Sequence, residues 1–293
     1  MKILDGKAVA EELKNFLKQE VIEYKAKSGR VPHLAAILVG DNPASKAYVG
    51  NKVKSCEQVG FNSTLIKLSD DVSEEELLNE IQKLNEDVDI DGFIVQLPLP
   101  GHIDEVKVTL AIDYRKDVDG FHPINFGRMA QGLPCYLPAT PYGITLLLER
   151  YNIETAGKHV VVVGRSNIVG TPISILLSRK TKMGDATVTL THSKTKDLYK
   201  ILLQADIIIA AIGIPNFIKE DMVSKGTVVV DVGINRVEDE TIQKGSKLVG
   251  DVDFEGVKNN CTHITPVPGG VGPMTVMGLM LNTFKSAKKE IYS

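Results

Sequence analysis

Cysteine is scarce in this 293-residue sequence, and long apolar runs and a strong net charge are absent. The three cysteines, Cys56, Cys135 and Cys261, are widely separated and form no C-x-x-C pair, which excludes a disulfide framework and argues against a structural zinc site. The N-terminus has no long apolar core, and the longest later apolar run, residues 207–212, is too short to cross a bilayer. We therefore expect a cytoplasmic protein.

The formal net charge of −3 gives no basis for a nucleic-acid-binding surface or a polybasic membrane patch. Any anionic ligand must be met by local cations. The six histidines are scattered without metal-ligand spacing, so we expect no metal site.

Strand-like and helix-like patterns alternate along the chain and predict two three-layer α/β domains with a cleft between them, the C-terminal one Rossmann-like. The first predicted domain spans residues 1–139 and the second residues 140–271. A C-terminal helix at 272–293 has no strand after it and must cover an apolar face. We expect this helix to complete the first domain, and we expect the stretch of residues 113–141 to be mainly loop.

A buried strand, residues 159–163, runs into a Gly-rich turn and then a helical pattern, as in dinucleotide-binding units. Gly164, Ser166 and Gly170 give G-x-S-x-x-x-G, which is a weak signal as a bare pattern because the usual spacing is G-x-G-x-x-G. No acid follows the next strand, where an NAD site places one. Arg165 and Ser193 instead offer a guanidinium and a hydroxyl to a 2′-phosphate, which favours NADP over NAD. The alternative is a solvated basic turn.

Tyr48 and Lys52 lie four residues apart on a predicted helix that Asn42 and Gly60 punctuate at residues 43–59. A buried lysine has a lowered pKa and can act as a base near neutrality, whereas an exposed pair of this kind is only a solvated surface.

Two other features follow a predicted strand at residues 92–96. Gln96 ends that strand at the edge where open α/β sheets bind ligands. Asp117 and Asp119 stand in a tight turn, where a carboxylate either bonds the turn itself or accepts paired N–H groups from a heterocycle. The sequence leaves both roles open for each acid.

Six blocks in this order resemble the bifunctional methylenetetrahydrofolate dehydrogenase/cyclohydrolase family, and the resemblance covers essentially the whole chain. They are Tyr48 to Lys52, Val95 to Pro100, Lys116 to Pro123, Gly164 to Gly170, Asp231 to Arg236 and Pro266 to Thr275. One departure is visible, since the family usually has Pro-Cys-Thr-Pro where this chain has Pro138-Ala139-Thr140-Pro141. A thiol at that position is therefore not expected to be required.

The resemblance implies oxidation of 5,10-methylenetetrahydrofolate with NADP, then hydrolysis of the methenyl product to 10-formyltetrahydrofolate. It implies Lys52 as the key catalytic residue, Gln96 as the group that positions it, Tyr48 packing on the folate and Asp119 binding the pterin-type ring. Further substrate positions are Val95, Leu97, Pro268, Gly269 and Gly270. Cofactor positions are Gly164, Arg165, Ser166, Ser193 and Ile234.

Two other functions stay open at this point: a dehydrogenase without cyclohydrolase activity, and a non-catalytic NADP-binding regulator. The second would be expected to have a damaged catalytic cluster, and the sequence shows none. The resemblance also implies a homodimer, and we expect an exposed strand edge near residues 247–252 to take part.

Overall fold

The computed structural model describes residues 1–238 and 245–292. Residues 239–244 of the predicted second domain, and Ser293 of the predicted C-terminal helix, lie outside the described residues. The helices are α1 (Gly6–Ser28), α2 (Pro43–Val59), α3 (Glu74–Glu86), α4 (Glu105–Ala111), α5 (Pro123–Ala130), α6 (Ala139–Arg150), α7 (Gly170–Ser178), α8 (Leu198–Leu202), α9 (Phe254–Val257) and α10 (Val271–Ala287). The strands are β1 (Lys2–Ile3), β2 (His33–Val39), β3 (Asn62–Leu68), β4 (Gly92–Val95), β5 (His159–Val163), β6 (Thr187–Thr191), β7 (Ile207–Ala210), β8 (Thr227–Asp231), β9 (Asn235–Glu238), β10 (Ser246–Val249) and β11 (Cys261–Ile264).

The chain divides into two compact units. The six-stranded unit comprises Met1–Ala10 and Thr140–Thr275, and the three-stranded unit comprises Glu11–Ala139 and Val276–Ser293. Among the described helices, none combines the length and the apolarity needed to cross a membrane.

The six-stranded unit is built on a parallel sheet with the order β1-β11-β8-β7-β5-β6. Its central strands β5, β7 and β8 are runs of valine and isoleucine that are buried along most of their length, as parallel strands covered on both faces require. Strand β5 pairs with β6 on one side and β7 on the other, so the strand order reverses at β5. Ligands of open α/β sheets bind at the carboxyl ends of strands beside such a reversal.

The N-terminal residues differ from the prediction, which assigned them to the first domain with the rest of residues 1–139. Strand β1 pairs in parallel with β11, and the backbone N–H of Leu4 donates to the carbonyl of Ile264 at 2.8 Å. Leu4 is fully buried there. Two strand residues are too short a segment to give a readable period, so this pairing leaves no signal in the sequence.

The three-stranded unit has the parallel order β3-β2-β4. Strand β2 lies in the middle and is buried from Leu34 to Val39, because helices cover the sheet and leave no face for polar residues. Helix α2 follows β2 with the predicted ends: the Asn42 side chain accepts from two backbone N–H groups, and Gly60 closes the helix at φ 84°. These helix bounds are confirmed.

Helix α10 ends at Ala287, so the predicted helix of residues 272–293 is too long. Lys289 takes a left-handed conformation at φ 53°. The N–H of Glu290 bonds the carbonyl of Lys285 at 3.0 Å, and the N–H of Lys289 bonds that of Ser286 at 2.9 Å. This is a Schellman closure, which terminates a helix by capping its last carbonyls. No glycine announces it in the sequence.

The segment predicted to be mainly loop contains α5. His122 caps this helix through Nδ1, which accepts the N–H of Ile124 at 3.1 Å, and Pro123 occupies its first turn. Prediction missed the helix because it is only 8 residues long and contains Gly127. The His122-Pro123 pair was the available signal.

Candidate functional site

Lys52 is buried on the inner face of α2, with 4% of its surface exposed. Its Nζ donates to Oε1 of Gln96 at 3.1 Å and lies 5.2 Å from the centre of the Tyr48 ring. Tyr48 is one helical turn away, as the spacing predicts. The structure therefore brings Tyr48, Lys52 and Gln96 together, and the solvated-surface alternative for this pair does not apply.

Gln96 is held from both ends. It follows the last residue of β4, and its backbone N–H donates to the carbonyl of Ile37 at 2.9 Å. Its Nε2 donates to the carbonyl of Leu97 at 2.7 Å, which leaves Oε1 facing the lysine. The amide is thus oriented by the backbone, and it fixes where the Lys52 amine points.

Burial lowers the pKa of the Lys52 amine, and the negative charge of Asp119 partly opposes this effect. Burial raises the pKa of Asp119 in turn, opposed by the charge of Lys52. The two groups therefore sense each other electrostatically inside the three-stranded unit. A lysine in this setting releases its proton more easily than an exposed one, as a general base requires.

The two acids of the turn have different roles. Asp117 is 2% exposed, and its carboxylate accepts the backbone N–H groups of Gly120, Phe121 and His122 at 2.8–3.2 Å and Nδ2 of Asn125 at 2.9 Å. Desolvation still raises its pKa to about 7. No hydrogen bond from the described part of the chain reaches the carboxylate of Asp119. Asp117 therefore builds the turn, and Asp119 keeps its acceptor capacity for another molecule.

A pocket opens beside Asp119 on the side of β4. Its lining includes Val95 and Leu97, which the family resemblance singled out, together with side chains that sequence reasoning missed. The full lining is Phe93, Ile94, Val95, Leu97, Val108, Thr109, Ile112, Asp117, Asp119 and Phe121. The cavity has room for about one water molecule, and Tyr48, Lys52 and Gln96 are not among the residues that line it. The missed residues on α4 had no signal beyond helical periodicity.

In the six-stranded unit, Gly164 follows β5 at the point where the strand order reverses, with φ 112°. A Cβ atom there would lie 2.1 Å from the carbonyl oxygen of Ala211, and one on Gly170 would lie 1.9 Å from that of Gly164. Only glycine fits at either position. The loop is therefore drawn tightly against the sheet and leads directly into the N-terminus of α7, which is where a pyrophosphate binds in dinucleotide units.

Arg165 and Ser193 lie at the same edge of the sheet. Strands β5 and β6 are parallel, with Val163 opposite Thr191, so each residue stands two positions beyond its strand. Both side chains are exposed, as is that of Ser166. The geometry fits a phosphate that is held by a guanidinium and a hydroxyl.

Two buried acids that prediction missed hold the neighbouring loops of this unit. Asp251 is fully buried and accepts the N–H groups of Ile212 and Gly213 at 2.7 and 3.0 Å, and Nδ2 of Asn235 at 2.9 Å. Asp231 accepts the N–H of Gly233 at 3.0 Å, and burial raises its pKa to about 6. Between them the loop presents Ile234, which is 52% exposed. The available signal for Asp231 was an acid as the last residue of an otherwise apolar strand.

The Pro/Gly loop lies on the N-terminal turn of α1. The N–H of Lys7 donates to the carbonyl of Gly269 at 2.9 Å, and the loop closes on itself from Gly270 N–H to the carbonyl of Pro266 at 2.9 Å. A Cβ on Gly6 would lie 1.8 Å from the carbonyl oxygen of Gly270. The predicted positions Pro268, Gly269 and Gly270 thus form an ordered loop within the six-stranded unit.

Comparison with known proteins gives two family matches. Residues 4–119 match "Tetrahydrofolate dehydrogenase/cyclohydrolase, catalytic domain", and residues 138–291 match "Tetrahydrofolate dehydrogenase/cyclohydrolase, NAD(P)-binding domain". A relative from Flavobacterium johnsoniae named "Bifunctional protein FolD" is 60% identical over 288 residues, which is 98% of each chain.

Solved structures of members of the same family are also similar to this chain. The bifunctional dehydrogenase/cyclohydrolase from Campylobacter jejuni is 48% identical and superposes with a TM-score of 0.92 over 99% of each chain. The enzyme from Trypanosoma brucei, solved with NADP and an inhibitor, is 36% identical with a TM-score of 0.93 over 99% of this chain and 98% of that one. The predicted α/β fold, with two domains and a Rossmann-like C-terminal one, is confirmed.

Proposed function

The chain belongs to the tetrahydrofolate dehydrogenase/cyclohydrolase family, and from this premise we infer how its residues carry out two reactions. It is a bifunctional enzyme: it oxidises 5,10-methylenetetrahydrofolate to the 5,10-methenyl cation with NADP, and it hydrolyses that cation to 10-formyltetrahydrofolate. The observation that carries the assignment of roles is the buried Lys52 amine, which is bonded to Gln96 and whose pKa is raised by the charge of Asp119 against the larger effect of burial. A chain reduced to cofactor binding would have no use for a buried amine, which costs stability.

The residues of the six-stranded unit fit a dinucleotide. Gly164 lets the backbone approach the pyrophosphate, Ser166 lies at the turn before α7, and Arg165 with Ser193 holds the 2′-phosphate. The exposed Ile234 offers an apolar contact. When bound, NADP accepts the hydride that leaves the folate carbon.

The substrate is a tetrahydrofolate derivative. Asp119 accepts N–H groups of the pterin-type ring, because its carboxylate has no hydrogen bond from the described residues. We assign Tyr48 to packing against the ring, and Val95 and Leu97 to further substrate contact, on the strength of the motif match. We assign the loop at Pro268, Gly269 and Gly270 to further substrate contact on the strength of the motif match.

Lys52 is the catalytic base of the second reaction. A water molecule attacks the methenyl carbon: a C–O bond forms, the electrons of the C=N⁺ π bond return to nitrogen, and the proton that the water loses passes to Nζ of Lys52. The bond from that carbon to N5 then breaks, the hydroxyl oxygen becomes the formyl carbonyl, and its proton goes to N5, which leaves the formyl group on N10. Gln96 holds Nζ in place while Asp119 limits how far its pKa falls. General-base assistance of this kind is worth about 10²–10⁴-fold in rate.

Lys52→Met tests the assignment. We expect loss of cyclohydrolase activity by about 10²-fold or more, because the proton acceptor is gone, while NADPH binding is unchanged. Methenyl hydrolysis and NADPH formation are followed by absorbance, and cofactor binding by fluorescence. Lys54→Met, an exposed lysine of the same helix, is the matched control. Cyclohydrolase activity near the wild-type value in Lys52→Met would refute the role.

We also propose a cytoplasmic homodimer. The cysteines Cys56, Cys135 and Cys261 are all buried and form no disulfide, which suits a reducing compartment. Within the described residues β10 has β9 as its one strand partner, and we propose that its other edge meets a second copy of this chain.

A further inference from the structure

Asn282 is a fully buried polar residue on α10, in the three-stranded unit. Its Nδ2 donates to two backbone carbonyls at 2.8 Å each, those of Val118 and Leu137. These residues are far apart in sequence, and one of them directly precedes Asp119. A single amide therefore ties the acid-bearing turn to the segment that leads into α6.

The carbonyl oxygen of the Asn282 side chain shows why an asparagine occupies this position. Oδ1 of Asn282 is buried and finds no hydrogen-bond partner among the described residues. A buried polar atom without a partner destabilises the fold, and an apolar side chain would pack on the helix face without that cost. The two donated hydrogen bonds, rather than packing, explain an asparagine at this position.

The turn is held from the opposite side by Asp117. Its carboxylate collects the backbone N–H groups of Gly120, Phe121 and His122, the three residues that follow Asp119. Asn282 fixes the carbonyl before Asp119 and Asp117 fixes the N–H groups after it. The backbone on each side of Asp119 is thus restrained.

Direct backbone packing completes the arrangement. Gly120 has φ 76°, and a Cβ atom there would lie 2.6 Å from the carbonyl carbon of Leu137. The N–H of Ala139 donates to the carbonyl of Asp119 at 3.1 Å. The turn and the 137–139 segment therefore touch main chain to main chain, and Asn282 spans the junction.

We propose that Asn282 is a positioning residue, which acts through the backbone of the turn to fix the carboxylate of Asp119 against the folate ring and the Lys52 amine. The proposal rests on the proposed function of Asp119. It gives the C-terminal helix a part in substrate recognition without contact to the substrate. A carboxylate displaced by about 1 Å loses aligned hydrogen bonds to a ligand, with a cost that reaches about a hundredfold.

The effect of Asp119 on the pKa of Lys52 provides a second measurement, the pH profile of the hydrolysis, which a general loss of stability would not change. The charge of Asp119 raises the pKa of Lys52, which otherwise faces the Tyr48 ring and the Gln96 amide. If the carboxylate moves away, the pKa of Lys52 falls further. The pH profile of the hydrolysis then shifts to lower pH, in the same direction as in Asp119→Asn.

The test compares Asn282→Val with Thr283→Val. Thr283 is the next residue of α10, is fully buried, and bonds only the helix carbonyl of Leu279 at 2.9 Å in the described structure, so its loss removes a buried hydroxyl without touching the turn. We expect Asn282→Val to raise KM for methylenetetrahydrofolate by about tenfold to a hundredfold, with KM for NADP unchanged. Thr283→Val should lose stability without either change in folate KM or pH profile.

Two further variants make the result decisive. Asn282→Ser leaves room for a water molecule that can bond both carbonyls, so it should fold and show a smaller change in the same direction even if the valine variant does not. The double variant of Asn282→Val with Asp119→Asn should be no worse in folate KM than Asp119→Asn alone, because both changes remove the same contact.

The outcomes distinguish the proposed role of Asp119 in substrate binding from the proposed positioning role of Asn282. If Asp119→Asn raises folate KM but both Asn282 variants match Thr283→Val, the positioning role is refuted and the role of Asp119 stands. Effects of Asn282 and Asp119 substitutions that multiply in the double variant would refute it as well. A normal folate KM in Asp119→Asn would overturn both the proposed function of Asp119 and the role of Asn282.

Discussion

The chemistry that we propose depends on two buried ionisable side chains, Lys52 and Asp119, whose charged forms are costly for the fold. Lys52 is placed where its ammonium form is poorly solvated, and Asp119 where its carboxylate form is poorly solvated. Each lowers the cost of the other, but neither is fully paired by a direct hydrogen bond. A buried pair whose hydrogen-bonding capacity is only partly used destabilises the fold, but it is suited to ligand binding and proton transfer.

The cost of burying Lys52 predicts a stability effect. The pKa of the folded-state amine lies below the value of 10.5 for a free lysine, so the folded protein binds fewer protons between these two values and its stability rises with pH there. Lys52→Met alone would leave Asp119 buried without its opposite charge, so it is combined with Asp119→Asn, which removes both buried charges. We expect this double variant to be more stable than wild type at neutral pH, with the difference in unfolding free energy narrowing as pH rises toward 10.5. Urea unfolding from pH 6 to 9 measures this, with Lys54→Met as the control that should stay within about 0.5 kcal/mol of wild type.

A second prediction for a single residue concerns Arg165 and the preference for NADP over NAD. Its exposed guanidinium has the geometry to hold a 2′-phosphate together with Ser193, so Arg165→Ala should lose affinity for NADP far more than for NAD. A loss of about 1.5–3 kcal/mol is expected for a hydrogen bond to a charged group. Initial rates of methylenetetrahydrofolate oxidation with each cofactor measure the change. Lys180→Ala, an exposed cation on a different loop, is the control, and an unchanged preference in Arg165→Ala would contradict the assignment.

At the scale of elements, α2 and the end of β4 together decide where the catalytic amine lies. Helix α2 has a defined start and end, so the rotation of Lys52 about the helix axis is fixed relative to Asn42. Strand β4 ends one residue before Gln96, which places that amide at the binding edge of the sheet. The hydrogen bond from Lys52 to Gln96 therefore depends both on the register of α2 and on the point where β4 ends.

The cap of α2 predicts a test at this scale. Asn42→Ala removes the acceptor of the N–H groups of Ala44 and Ser45 and should cost about 0.5–2 kcal/mol of stability. Cyclohydrolase activity should fall as well, because the first turns carry Tyr48. Ser73→Ala removes the comparable cap of α3, which carries no site residue, and should cost similar stability without loss of activity. Chemical unfolding and the methenyl assay are compared for both variants. Equal activities in the two would show that this cap does not position the site.

The whole molecule raises the question of assembly. Strand β10 has one strand partner within the described residues, β9, and an open strand edge is a place where a second copy can add. Closed symmetric assembly through such an edge would protect it from other chains. The residues that we propose for NADP binding lie on different loops of the same unit, at the ends of β5, β6 and β8.

The proposed homodimer gives a prediction for the whole molecule. Light scattering after size exclusion should give twice the chain mass at micromolar concentration. Leu248→Pro removes a backbone donor from β10 and should yield monomers that still bind NADPH. The control is Leu133→Pro, at an exposed position far from β10 in sequence. A wild-type monomer at that concentration would contradict the proposal.

The sequence by itself determined the local features. The ends of α2 follow from Asn42, Pro43 and Gly60, because caps act on groups within a few residues. The capping box of α3 and the buried strand β5 are equally local. Periodicity placed Tyr48 and Lys52 on one face, and motif order identified the family, since each requires only neighbours along the chain.

Only the tertiary structure decided what depends on distant partners. Strand β1 pairs with β11, and Asn282 bonds the carbonyls of Val118 and Leu137, so both contacts join residues that lie far apart in the chain. Of two acids that look alike in sequence, Asp117 bonds the turn, and Asp119 is the one that we propose for the ligand. Burial and hydrogen-bond satisfaction are properties of the packed molecule. Two aspartates two residues apart read the same in sequence, and their roles diverge because one of them faces its own backbone.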